Sequence, residues 1–232
     1  MGKTLLVAGA GTGVGRAVAE RFAAEGYSVV LTARNSERLR ELASSVKNSK
    51  AVGGDLTTES DVKRIFDEAG TVDAVAFVAA ARVQGPFAEL TAEDFEKVWR
   101  HSCFAGFLVG REAARRMLPR KSGTVIFTGA SASLRGRPSF AAFTAAKGAL
   151  RQMAQSMAKE LGPQGIHVAH VVVDGAIDSE RMRKQFPERM AQLGADGALH
   201  PDAIAEAFWQ LHRQPKSAWT HEIDLRPAAE PF

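Results

Sequence analysis

Cysteine and tyrosine are nearly missing from this chain: Cys103 and Tyr27 are the single representatives of each among 232 residues. One cysteine excludes an internal disulfide. With six dispersed histidines it leaves no zinc-ligand spacing, so no metal site is expected and a reducing cytoplasm suits the chain best. No apolar run approaches the length of a membrane span, and the N-terminus passes into a strand-like run without a signal-peptide pattern. No Pro/Gly/Ser-rich linker, repeat or low-complexity segment divides the sequence, which points to one domain over residues 1–232 with room for a large core. The net charge of +4 arises from 30 basic and 26 acidic side chains spread through helical patterns. No basic run is interleaved with aromatics that stack on bases, so the expected partner is a small-molecule substrate, not nucleic acid or a membrane.

What the chain does have is a glycine-rich turn between a strand and a helix. Leu5 to Ala8 suit a buried parallel strand, and the run from Arg16 to Phe22 puts Val18 and Phe22 on one helical face. Between them, glycine at positions 9, 13 and 15 lets the backbone turn sharply and approach a ligand. The following helix offers free N–H groups and a positive dipole end, which suits a diphosphate. A simple strand-to-helix turn also uses glycine, so the later segments decide.

A second strand is expected over residues 28–33, followed by Arg34, Asn35 and a helix from Glu37 to Val46. In a dinucleotide fold this strand ends beside the adenosine ribose, where an acid accepts from the 2′-hydroxyl of NAD. Ala33 stands at that position and Arg34 follows, offering a planar guanidinium where the 2′-phosphate of NADP would lie. NADP(H) is therefore favoured over NAD(H), although Arg34 also reads as an ordinary exposed helix start. Further strands are expected at 51–56, 72–80, 124–128, 166–173 and 221–225, with helical regions over 91–117, 140–161 and 201–212. Thr91 is the expected cap of the first of these regions, and Phe95, Val98, Phe107 and Val109 within it serve either the core or an interface. Alternating strands and helices with right-handed crossovers give an α/β fold, a doubly wound seven-stranded parallel sheet with helices on both faces.

The spacing Gly9-x-x-x-Gly13-x-Gly15, together with the segments that follow it from Gly9 to Leu225, resembles the short-chain dehydrogenase/reductase family. The resemblance implies a single-domain Rossmann fold. It implies cofactor contacts from Gly9, Gly11, Thr12, Gly13, Val14, Gly15, Arg34, Asp55, Leu56, Ala79, Ala80, Lys147, Gly175 and Ile177. Asp55 would meet the adenine amine, with Leu56 packed on the ring; it equally suits a cap for the helix beginning near Thr58. The family's pattern also implies a homodimer or homotetramer built on the helices of 91–117 and 140–161, and a substrate lid near 178–200.

This chain departs from the pattern where chemistry is expected. Ala8 replaces a usual threonine, and Phe77-Val78-Ala79-Ala80 stands where the family has Asn-Asn-Ala-Gly. The family's Tyr-x-x-x-Lys reads Phe143-Thr144-Ala145-Ala146-Lys147, and phenylalanine has no proton to give. The family's serine falls on Ala130, with Ser131 one step away, and its helix asparagine on Ser102. The exit Pro-Gly reads Asp174-Gly175. Candidate catalytic positions are accordingly Lys147, Ser131, Ser102 and Phe143, the last as the vacated tyrosine position. His101 reads as a polar substrate contact or as a surface residue, and His167 and His170 as structural. Phe104, Phe140, Met182, Phe186 and Met190 wall an apolar pocket or simply pack. Two functions remain open: an NADP(H)-dependent oxidoreductase acting on an activated enone or imine, and a catalytically inactive NADP(H)-binding or scaffold protein in which Lys147 only secures the nucleotide.

Overall fold

A computed structural model describes residues 2–194 and 196–230 of the chain. The apolar runs become strands because they can be buried on both faces. Strands β1 (Thr4–Ala8), β4 (Ala74–Phe77), β5 (Gly123–Thr128) and β6 (Ile166–Val173) form the centre of the sheet, and Leu5, Leu6, Val7 and Val75 have no exposed surface. With β2 (Ser28–Thr32), β3 (Ser49–Ala51) and β7 (Glu222–Leu225) they make a seven-stranded sheet in the order β3-β2-β1-β4-β5-β6-β7. Every neighbouring pair is parallel. The expected fold class holds.

Helices cover both faces. Helices α1 (Val14–Ala24), α2 (Ser36–Ser45) and α9 (Pro201–Arg213) pack on one, burying Phe22, Leu39, Leu42, Phe208 and Trp209. The other carries α3 (Glu59–Ala69), α5 (Ala105–Met117) and α6 (Ala141–Leu161), burying Ile65, Phe66, Leu108, Met117 and Leu150. Tyr27 is locked on the first face: its ring meets Phe22 edge-on at 5.3 Å and its hydroxyl bonds His212 Nε2 at 2.5 Å. His212 Nδ1 in turn bonds Thr124 Oγ1 at 2.9 Å, near the amino end of β5, so the lone phenol lies at the opposite end of the sheet from the strand exits.

Several expected boundaries shift. Strand β3 pairs only over Ser49–Ala51, earlier than the expected 51–56, because Val52 N makes one further bond to Leu31 O before the chain leaves the sheet. Strand β4 ends at Phe77, not at 80: Val78 N and Ala79 N both turn onto Ala8 O, at 2.9 and 3.1 Å. The single helical region expected over 91–117 is interrupted. It runs as α4 (Ala92–Trp99), a wide turn at Arg100–Phe104, then α5, and at the turn Ala105 N donates to Arg100 O, five residues back. Thr91 does cap α4, accepting from Asp94 N at 3.0 Å. Of the apolar positions in this region, Val98 and Val109 are buried, whereas Phe95 and Phe107 are each 40% exposed. The expected lid contains two short helices, α7 (Glu180–Gln185) and α8 (Pro187–Leu193); Ala195 of that segment lies outside the described residues, as do Met1, Pro231 and Phe232 at the ends of the expected domain.

Candidate active site

Strand β1 is flanked by β2 on one side and β4 on the other, so the chain reverses its winding here and a crevice opens beyond the strand exits. At the mouth, Gly9 N and Ala10 N both donate to Thr32 O, at 3.0 and 2.8 Å, drawing the turn toward β2. Gly9 has φ +93°, and a Cβ there would lie 2.5 Å from Ala79 Cα, so only glycine fits between the two strand exits. A Cβ on Gly11 would meet nothing within 4 Å: this residue faces open cleft. Helix α1 follows Gly13 with no side-chain cap and no acid in its first turn; Arg16 N donates to Gly11 O at 2.9 Å, which leaves the N–H groups of Val14 and Gly15 for an anion. These features fit a dinucleotide diphosphate. The cleft holds about 750 Å³ and is lined by Gly9, Gly11, Thr12, Arg34, Asp55, Leu56, Ala79 and Ala80, eight of the expected cofactor residues. Gly13, Val14 and Gly15 stand behind the turn, where Gly15 packs on Ala10 and Gly13 approaches Ser179 of the lid.

At the end of the cleft beside β2 the groups are basic. Arg34 leaves β2 exposed to the cleft, and Arg38, one turn into α2, lines the same rim. Asn35 accepts from Arg38 N at 3.0 Å and so fixes the start of α2. Arg38 could be found in sequence only as a helical neighbour of Arg34. His101 joins them across the cleft, its Nε2 2.8 Å from Arg34 Nη1 and its Nδ1 2.8 Å from Lys97 O. Asp55 does not cap α3, whose first cap position is Thr58; its Oδ1 accepts from Thr57 N and Oγ1, both at 2.9 Å. Burial pulls the Asp55 carboxyl up, but these two bonds and the nearby Arg34 charge outweigh it and hold the group below the usual carboxylate range.

The altered chemistry lies among residues outside the lining of this cleft. Lys147 is buried within α6 and its Nζ donates to Thr128 O at 2.7 Å; burial pushes its pKa down to about 8. The neighbouring Cys103 thiol is pushed up by burial, against the pull of the Lys147 charge. One turn earlier on α6, the Phe143 ring lies with its centre 5.9 Å from Lys147 Nζ, packed against the buried cluster of Val98, Ala142 and Ala146. Ser131 begins the short turn after β5, half-buried, and its hydroxyl bonds to no described residue. Ser102 is fully buried in the wide turn before α5: its Oγ accepts from Ala81 N at 3.2 Å and donates to Ala81 O at 3.4 Å. That hydroxyl staples the helix to the loop beyond β4.

Behind this loop lies a polar cluster that no local pattern announced. Ser133 Oγ accepts from Ala130 N at 3.1 Å and lies 3.5 Å from His170 Nε2. His170 Nδ1 bonds Glu222 Oε2 at 2.9 Å, and Arg151 clamps Glu222 with two 2.7 Å bonds. Burial keeps His170 neutral, its pKa pushed down to about 4. A Cβ on Gly129 would stand 2.4 Å from the His170 ring, so glycine there makes room for it. His167 is structural too, bonded to Thr220 O and stacked on Trp219 at 4.9 Å.

Gly175 and Ile177 lie at the exit of β6, before the expected lid segment and outside the lining of this cleft. Gly175 (φ +142°) passes Pro227, whose Cδ would be 2.7 Å from a Cβ, and Ile177 bridges Leu199. Asp174 beside them is fully buried and pairs with Arg135 and Arg226 at 2.8 and 2.9 Å. Of the apolar wall residues, Phe104 stacks on Trp99 at 5.6 Å, Phe140 lies under the Arg82 guanidinium and Phe186 is 50% exposed. Met190 lines a separate cleft of about 450 Å³ with Asp178, Arg183 and His200. Among the described residues no group of three or more His, Cys, Asp or Glu is placed to hold a metal ion, and no helix is long and apolar enough to cross a membrane.

Comparison with known proteins agrees with this architecture. The short chain dehydrogenase family model matches residues 3–191. A short-chain dehydrogenase of Rhodopseudomonas palustris superposes with a TM-score of 0.83 at 40% identity, covering 97% of this chain and 98% of its own. A glucose 1-dehydrogenase of Gluconobacter oxydans is 33% identical over 76% of this chain and 70% of its own length. The oxidoreductase asL5 of Sarocladium schorii is 30% identical over 84% and 80%.

Proposed function

The chain belongs to the short-chain dehydrogenase family, and from that premise we propose that it is an NADP(H)-dependent oxidoreductase that works without a tyrosine proton donor. The observation that carries this reading is a contrast: the cleft is lined by Arg34 and the glycine turn, whereas the ring beside Lys147, outside that lining, has no oxygen. Bound in the crevice, NADP(H) supplies or accepts a hydride. The glycine turn and the start of α1 take the diphosphate, and Ala79 and Ala80 floor the cleft. Arg34 takes the 2′-phosphate, which an acid at position 33 would repel and Ala33 does not. Lys147 secures the nicotinamide ribose through its buried ammonium, and Ser131 is left to hold a substrate polar atom.

Without the phenol, the substrates best served are those that accept hydride readily, an activated enone or an imine, with the proton drawn from water or from a serine hydroxyl. The lone buried Cys103 suits a reducing compartment such as the cytoplasm. A homodimer or homotetramer accounts for the aromatic stripe on α4 and α5, where Phe95, Trp99 and Phe107 are 40%, 37% and 40% exposed. A panel of ketones, enones and imines, followed at the nicotinamide absorbance with NADPH, tests the reaction. Turnover of an enone or imine is expected. NADPH binding with no turnover of any substrate would leave a nucleotide-binding protein instead.

A further inference from the structure

The contact between Arg34 and His101 joins residues 67 positions apart, from opposite walls of the nucleotide cleft. We propose that His101 is a positioning residue for cofactor choice: it holds the Arg34 guanidinium across the adenosine end so that its remaining N–H edge meets the 2′-phosphate. This rests on the NADP(H) reading above and adds to it a residue on the far wall.

The hydrogen bonding leaves one protonation pattern. A guanidinium only donates, so His101 Nε2 must offer its lone pair to Arg34 Nη1 at 2.8 Å. The imidazole proton then sits on Nδ1, which donates to Lys97 O at 2.8 Å. His101 is thus a neutral acceptor whose tautomer is set by the backbone of α4. It reaches the cleft from the wide turn at Arg100–Phe104, the interruption that separates α4 from α5. Arg34 spends one donor on His101, and its other N–H groups bond to no described residue, so they remain available for a bidentate phosphate. An exposed arginine at a helix start would otherwise sample many rotamers, and holding it in place before the nucleotide arrives removes that ordering cost from binding. Asp55, which faces Arg34, is already occupied by Thr57 and does not draw Arg34 into a close ion pair.

Calorimetric dissociation constants for NADPH and NADH, on native protein and on R34A, H101A, H101Q and the R34A/H101A double variant, test the assignment. Native protein should prefer NADPH and R34A should lose that preference. H101A should cut the NADPH-to-NADH ratio about three- to tenfold, the net worth of an ordinary hydrogen bond, with NADH nearly unmoved. H101A should change nothing further in the R34A background, and H101Q, which keeps an acceptor, should restore much of the ratio. If R34A removes the preference but H101A leaves the ratio within about twofold, His101 has no such role and the NADP(H) reading stands. An H101A effect of equal size in the R34A background would also overturn the assignment, because His101 would then act without Arg34. Equal affinities in native protein would overturn the NADP(H) reading itself.

Discussion

Restoring one oxygen at position 143 is the perturbation with the clearest expected consequence. Phe143 and Lys147 stand one helical turn apart on α6, and the ring centre is 5.9 Å from Nζ. The ammonium lies over the ring, so a phenolic oxygen at Phe143→Tyr, about 3 Å from the ring centre in its plane, comes to hydrogen-bonding distance of Nζ once the ring turns its edge to the ammonium. The Lys147 charge would then lower the phenol's pKa, and the proton would be available where hydride reaches a carbonyl carbon. A placed general acid contributes about 10² to 10⁴ in rate, or about 3 to 5 kcal/mol of barrier. The native protein should therefore reduce simple ketones slowly, and Phe143→Tyr should raise kcat/KM on them by at least about tenfold, with more gained when Ala130→Ser is added to hold the substrate oxygen. The assay is NADPH consumption under matched conditions, with far-UV circular dichroism to confirm the fold. Brisk ketone reduction by native protein, unchanged in Phe143→Tyr, would refute the reasoning and direct attention to Ser131 and Ser102 as donors.

Lys147 gives a pH signature: its ammonium, held to a pKa of about 8 by burial, loses its proton as pH rises through that value. NADPH affinity should then fall above about pH 8, by at most about tenfold per unit, in native protein but not in Lys147→Met; parallel profiles would contradict the assignment. Acid should destabilise the fold through His170 and His212, both pushed by burial down to about 4 from the ordinary 6.5. Between those values the unfolded chain binds protons that the native chain refuses, so stability present at neutral pH is lost as pH falls, by about 2 to 3 kcal/mol per histidine. A urea midpoint that stays flat from pH 7 to about 4.5 would show that neither ring is held neutral. Light scattering at micromolar concentration should give a dimer or tetramer, and Phe107→Asp with Trp99→Asp should shift it toward monomer; a native monomer would remove the assembly proposal.

Much of the sheet was legible because burial on both faces leaves a direct mark: Leu5–Ala8, Val125–Phe127 and Val171–Val173 are continuous apolar runs, and each falls in a central strand. The glycine turn and the Phe143–Lys147 pair were legible for a related reason, since both are set by spacing within a few residues. What escaped is long-range. Nothing near His101 in sequence points to Arg34, and Ser133, Arg151, His170 and Glu222 come from four separate segments. The wide turn at Arg100–Phe104 has no proline or glycine to announce it; the buried Ser102 hydroxyl, bonded to the Ala81 backbone, marks where the helix departs from its regular path. Asp55 read in sequence either as an adenine contact or as a cap for α3, and the structure removes the cap, its Oδ1 being turned onto Thr57.

The central claim is that this crevice is built for NADP(H), and paired titration of native protein with NADPH and NADH at one pH and low ionic strength tests it most directly. A charge-assisted contact from Arg34 to the 2′-phosphate is worth about 1.5 to 3 kcal/mol, so NADPH should bind at least about tenfold more tightly. Equal dissociation constants, or tighter binding of NADH, would contradict the account.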